Sequence, residues 1–327
     1  MKYYTWLLSA VSFLYLGCTT SSTVSDHVVS IQVIGGDKSF EMTDVVSRTD
    51  TMRLVPKHGC VVGEVQDYCL DDSLVYVLDN GKSLSSFQVR TGKMENYIHH
   101  VGHGRNEYIA SKAICVRNGF VYLLDFQGKS VLMYDRSLTF LKRVTIPFTA
   151  LDFSVVSDGF LFFNLNRGGI YRRVVYTDFQ GQVKDSFLDS DGTMDYLLND
   201  KVFSEIGNKR VYYTDFQTGD VYHWNGKTLE KVYALDFVGL NREAKKKSDG
   251  DIYSNILSDK YVFIQYLSSK MIMLNVYILE NGKSKSGPVA THAPFPFLPQ
   301  VSLGNQLIGV YEMKGMDGYM MVKYLLK

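Results

Sequence analysis

An excess of charge of either sign is missing from this chain: 35 Lys and Arg stand against 34 Asp and Glu in 327 residues. Nucleic-acid binding rests mainly on neutralising phosphates, so such a balance leaves no electrostatic footprint for a DNA or RNA partner. The one basic run, Lys245-Lys246-Lys247, is followed by Asp249 and Asp251 and reads as a solvated loop between repeats. No long stretch spaces its apolar residues at helical period, which excludes solenoids of helix pairs. G-x-S-x-G, H-E-x-x-H and P-loop motifs are all absent. Their absence weakens the case for an enzyme without excluding one that draws its groups from several repeats. Cysteine is scarce too, with four residues and none in a CxxC spacing that would suggest a metal or redox site.

The apolar run at the start, residues 3–16, falls short of the ~20 residues that a spanning helix needs. With Lys2 before it, the segment 1–17 reads as a signal peptide. It ends in Tyr15-Leu16-Gly17-Cys18, which resembles a bacterial lipobox, so Cys18 is the expected site of lipid attachment; the alternative is a plain secretory signal. Residues 18–27 then form the lipidated Cys and a flexible polar tether. Loss of 1–17 removes Lys2 and no acid, taking the formal charge from +1 to 0. If Cys18 carries lipid, Cys60, Cys69 and Cys115 remain, an odd number. A Cys60–Cys69 disulfide and three buried thiols both stay open.

What the chain does contain is a recurring strand after a short turn. The copies are 72–79 (DSLVYVLD), 118–125 (NGFVYLLD), 158–165 (DGFLFFNL), 208–215 (NKRVYYTD), 259–266 (DKYVFIQY) and 305–312 (NQLIGVYE). Their last residues lie about 40 to about 51 apart, a spacing that propeller repeats occupy. Val, Tyr, Phe and Ile bounded by Asn, Asp and Gly mark these segments as strands. In the second unit, strands are expected at 114–116, 120–125, 130–134 and 141–146; in the fourth, at 210–216, 220–224 and 229–235. Asn-Gly and Asp-Gly supply the positive φ that tight hairpins need. Such sheets are apolar on consecutive positions, so both faces need covering, and circling an axis covers them. The expected fold is therefore all-β: a six-bladed propeller of four-stranded antiparallel blades over residues 28–327.

The sixth unit ends too soon for a fourth strand. Residues 28–33 and 51–55 both have strand character, and 51–55 is expected to supply the missing outer strand, with Pro56 ending it. The last blade is then closed by an N-terminal strand.

Beyond the repeats, the chain resembles the six-bladed β-propeller lipoproteins, distantly NHL-like, of gut Bacteroidetes. The resemblance rests on Met42-Thr43-Asp44-Val45-Val46 leading to Met52-Arg53-Leu54-Val55-Pro56, on the aspartate-ended strands, and on Val101-Gly102-His103-Gly104-Arg105-Asn106-Glu107-Tyr108. That last segment parallels a G-x-G-P-G-E-Y-like stretch, with Arg105-Asn106 where Pro-Gly is usual. It implies fold and envelope location and says little about activity.

Candidate chemistry is sparse. His99 and His100 adjoin on what reads as an outer strand and should face opposite ways, while His103 lies on the following loop, so a metal site there is disfavoured. Asp79, Asp125 and Asp215 end their strands where a carboxylate can accept bonds from turn N–H groups. The inner-strand positions Cys69, Cys115, Val155, Glu205, Ile256 and Ser302 should approach the axis, and Glu205 is the odd member. Glu205, His103, Glu107, Tyr108 and Trp224 are the candidate ligand-binding residues. No cofactor is expected; calcium or another divalent metal in the channel would need oxygen ligands from several blades to converge. The expected function is a lipid-anchored, monomeric binding or scaffolding module on the periplasmic side of the outer membrane, taking a glycan, a peptide or an envelope protein. The alternative is a propeller hydrolase or lyase with a metal in the channel.

Overall fold

The computed structural model describes residues 28–34, 41–165, 169–190, 201–207, 210–238, 250–288, 297, 299–313, 315 and 317–327. Cys18 and the lysine run lie outside them. Six sheets surround an axis, because the first strands of successive sheets touch one another. From the axis outward, blade 1 is Val65–Leu70, Leu74–Asp79, Leu84–Gln88 and Met94–Ile98; blade 2 is Ser111–Arg117, Phe120–Asp125, Ser130–Tyr134 and Phe140–Thr145. Blade 3 is Ala150–Val155, Gly159–Asn164, Arg172–Asp178 and Val183–Asp189; blade 4 is Phe203–Ile206, Arg210–Asp215, Asp220–Trp224 and Leu229–Val238. Blade 5 is Ile252–Leu257, Tyr261–Ser268, Met271–Ile278 and Lys283–Pro288. Blade 6 holds Val301–Leu303, Gln306–Glu312 and Tyr319–Leu326, and takes its outer strand, Val46–Leu54, from near the N-terminus.

The apolar faces behave as their composition demands. The core is a ring of clusters that each span neighbouring blades: Tyr76 and Leu78 of blade 1 pack with Ile114 and Leu123 of blade 2, and Val310 and Met321 of blade 6 pack with Val75 and Val77 of blade 1. A buried side chain of this size contributes roughly 1.5–3 kcal/mol, so the ring is held by many comparable contacts and by no single centre.

Closure at blade 6 follows expectation, in a strand longer than the expected 51–55. Val46 pairs with Leu326 and Leu54 with Tyr319. Val55 then leaves the sheet and bridges to Lys93, its N–H donating to the Gly92 carbonyl at 2.7 Å. The closing strand therefore clasps blade 1 as well. Val29–Ile34 takes an unexpected place. It runs parallel along the outer edge of blade 4 as a fifth strand, Val29 opposite Tyr233, with Ile31 and Val33 fully buried. The next strand in the chain, Val46–Leu54, belongs to blade 6, two blades on.

One expected register is off by a residue. Cys115 pairs with Tyr122, whereas Val155 pairs with Phe160. A shift of one residue reverses the side a strand residue faces. Accordingly Val155 joins the core between blades 2 and 3, and Ser154 faces the channel in its place. His99 and His100 lie just beyond the outer strand of blade 1, both exposed, and do not sit on it.

Candidate functional site

The turns that join inner to second strands gather at one end of the axis and form its mouth. A cavity of about 560 Å³ opens there, lined from blades 1, 2, 4 and 6. Residues at or next to the ends of the inner strands supply an aliphatic collar of Leu70, Val116, Ile206 and Leu303, and Asp71, Asp72, Arg117, Arg136 and Glu205 line the same cavity. Glu205, the carboxylate that stands out among the inner-strand residues, reaches across the channel to Arg117: Nη1 to Oε2 is 3.3 Å, and the arginine is largely buried. Arg136 pairs with Asp71 at 3.0 Å and also donates to the Ser73 hydroxyl. The Asp71 carboxylate meanwhile accepts the N–H groups of Ser73 and Leu74 at 2.9 and 2.8 Å, which fixes the turn that carries it.

Behind the mouth lies a smaller chamber of about 150 Å³, with Cys69, Cys115, Phe153, Ile256 and Gln300 among its walls. Its far end is closed by an ionic cluster that pattern reading missed. Lys201 Nζ lies 3.0 Å from Asp67 Oδ2 and 3.8 Å from Asp152 Oδ1, joining blades 1, 3 and 4. Each carboxylate also fastens a neighbouring blade: Asp67 accepts the Ile114 N–H at 2.8 Å, and Asp152 accepts those of Val202 and Phe203 at 2.9 and 3.0 Å. Both aspartates follow a β-bulge at the start of an inner strand, which turns the side chain toward the next blade. Burial pushes the Asp152 carboxyl up to about 6, with Lys201 opposing and Asp67 adding to the rise. Burial works to lower the Lys201 ammonium, yet Asp67 and Asp152 outweigh it and hold it above the usual lysine range. Lys201 is thus a fixed cation, unsuited to attack as a free amine. Nor are the thiols poised for attack: burial, with Glu205 nearby, pushes Cys115 up to about 12, and burial raises Cys69 as well. Cys60, Cys69 and Cys115 are all free; Cys69 is buried and the other two are half-buried.

Among the sequence candidates, Glu205 alone lies at the mouth. Glu107 folds over its own loop, its Oε2 accepting the Gly104 N–H at 2.7 Å. A Cβ at Gly102 would come within 2.1 Å of that oxygen, so a larger residue there would push the Glu107 carboxylate out of this position. Tyr108 is fully buried and donates its hydroxyl to the Lys82 carbonyl at 2.6 Å. The motif is therefore a stapled linker between blades 1 and 2, at the opposite end of the axis, with His103 exposed upon it. Trp224 is buried between blades, its ring 5.1 Å from Tyr176 and 5.7 Å from Phe187. The strand-ending aspartates hold turns as expected: Asp79 accepts the N–H of Ser83 at 2.8 Å, Asp125 that of Gly128 at 3.1 Å and Asp215 that of Gln217 at 3.0 Å. They also do more. Asp79 and Asp125 bind the preceding linkers at Gly63 and Ala110, and Asp215 pairs with Arg173 of blade 3 at 2.9 Å. Among the described residues no group of three or more His, Cys, Asp or Glu is placed to hold a metal ion.

The fold and its site can be set beside known proteins. A family model described as a domain of unknown function, DUF4934, matches residues 28–323. No curated protein matches the chain. Among solved structures, a Bacteroides fragilis protein described as exported aligns over 92% of this chain and 99% of its own at a TM-score of 0.74 and 14% identity. A member of the DUF4221 family from Bacteroides vulgatus covers 86% and 97% at 0.56 and 10% identity. Virginiamycin B lyase from Staphylococcus aureus covers 86% and 100% at 0.51 and 10% identity. At such identities these likenesses concern the fold alone.

Proposed function

The chain belongs to the DUF4934 family, and from that premise we propose that it is an exported, lipid-anchored binding module whose ligand seats at the channel mouth. The observation that carries this reading is the mouth itself: a cavity of about 560 Å³ lined from four blades, with polar groups held by ion pairs that join blades 1, 2 and 4. Rigid strands with short turns present these groups, the arrangement by which propeller faces support recognition. Fixed charge pairs around an aliphatic collar suit selective binding. The neighbouring chamber offers neither a free amine nor a thiolate to attack a substrate.

Anchoring through Cys18 would hold the propeller at the periplasmic side of the outer membrane as a monomer. Fatty-acid labelling that persists in Cys18→Ala would overturn the anchor, and labelling of intact cells by an impermeant reagent would overturn the periplasmic orientation. Binding is tested by a thermal-shift screen of glycans and peptides, since a ligand that prefers the folded state raises the Tm. A true ligand loses its shift in Glu205→Gln. Shifts that are unchanged in Glu205→Gln and Arg117→Gln would move the site elsewhere.

A further inference from the structure

A second cavity, about 820 Å³, adjoins the mouth and shares Asp72, Ser73 and Arg136 with it. It runs outward over blade 1 past Gln88 and Arg90 to Glu95 and Asn96 on the outer strand, with Lys323 of blade 6 at its flank. Mouth and trough together form one path from axis to rim. Three strand spacings from inner to outer strand make this path roughly 15 Å long, the reach of about five extended residues.

The charges along this path are unevenly satisfied. Arg117 and Arg136 are engaged by Glu205 and Asp71, and the Glu95 side chain accepts from Gln88. Arg90 and Lys323 in the trough make no ion pair among the described residues, and neither does Asp72 at the junction. The path therefore offers one open anion near the axis and, farther out, two open cations beside Glu95, whose bond from the neutral Gln88 amide leaves its charge in place, so one positive charge remains in excess there. A continuous polyanion would meet Asp72, Asp71 and Glu205 at its inner end, which disfavours phosphate chains. Among the described residues neither cavity is lined by an aromatic ring, so these walls give a sugar no face to stack on. The collar at the axis is aliphatic, and Leu303 remains 48% exposed in it.

We infer that the ligand of the mouth is an extended acidic peptide with a free, aliphatic amino-terminal residue. Resting on the binding-module reading above, this assigns its side chain to the collar of Leu70, Val116, Ile206 and Leu303, and its ammonium to Asp72. Carboxylates three to five residues on reach Arg90 and Lys323.

The test is fluorescence anisotropy with the peptide Leu-Ser-Gly-Asp-Glu-Glu carrying a carboxy-terminal dye. Binding should weaken at least about tenfold on N-acetylation, on replacing the acids by amides, and in Arg90→Gln/Lys323→Gln or Asp72→Asn, the loss of one charge-assisted hydrogen bond or more. High salt should weaken it as well. Arg48→Gln, an exposed residue of blade 6 outside both cavities, should bind as the wild type does. Equal affinity for the acetylated peptide, or for the double variant with unchanged melting, overturns the inference. So does an acidic oligosaccharide that binds with loss in Glu205→Gln where no peptide does, although the binding-module reading then stands. If nothing in the peptide and glycan panels binds the mouth, both fail.

Discussion

Asp152 is the residue at which charge and folding are most tightly coupled. Its carboxyl holds a proton more firmly in the folded chain than in the unfolded one, being pushed up to about 6 from an ordinary value near ~4. Between those values the folded state binds more protons, so Asp152 makes stability fall as pH rises from about 4 to about 6. In urea titrations across that window, Asp152→Asn should flatten the slope; an unchanged slope would mean that Asp152 is ionised throughout. Lys201, whose ammonium is also held above its ordinary range, has the same sign in a higher window: its contribution is fully present below that range and is lost only as pH rises through it. Lys201→Met leaves Asp67 and Asp152 buried without a counter-ion and should cost about 3–5 kcal/mol at neutral pH. The cost should shrink below pH ~6 as Asp152 takes up its proton. Glu205, which lines the channel mouth, could be singled out because a lone charge stood in an otherwise apolar or small inner-strand column. Its partner Arg117 was not, since the pair joins positions 88 residues apart on different blades. The Asp67–Lys201–Asp152 cluster escaped for the same reason: no local spacing records which carboxylates meet across an axis.

Strands were the easier part to read. Each repeat is bounded by Asn, Asp or Gly and filled with β-branched and aromatic residues, so the strands expected in the second and fourth units lie within a few residues of those observed. The parallel placement of Val29–Ile34 left no trace in the pattern, because a short apolar strand can satisfy any open edge of suitable length. The closing strand allows a direct check. Leu54 is fully buried against Tyr68, Val75 and Met321, and Leu54→Ala should cost about 2–5 kcal/mol in chemical denaturation. Thr51→Ala, on an exposed position of the same strand, should stay within about 0.5 kcal/mol. Gly92 sits at the clasp between this strand and blade 1 with φ of 70°, and an added Cβ would lie 2.0 Å from the Arg53 carbonyl oxygen. Gly92→Ala should therefore destabilise by more than about 1 kcal/mol and raise protease cleavage near residues 55–56.

At the level of the whole molecule, closure makes the ring a single unit. Residues 46–54 meet 319–326, the Lys327 N–H donates to the Val45 carbonyl at 2.9 Å, and the Tyr68 hydroxyl of blade 1 donates to the Ile308 carbonyl of blade 6 at 2.8 Å. Unfolding should follow one transition, with Trp224 fluorescence and far-UV circular dichroism changing together. A chain that starts at residue 41 should keep that single transition at lower stability, having lost only the fifth strand of blade 4. A chain that starts at residue 57 lacks the closing strand and should not reach the native spectrum. Six blades could be read from the repeat because every blade repeats the same burial problem; the path of the N-terminus could not, since it depends on edges that exist only once the ring has formed. That path has a mechanical consequence. Tension applied through the N-terminus must first peel Val29–Ile34 from blade 4, so the strand that seals the circle sits behind a strain relief and is spared the load until the outer one gives way.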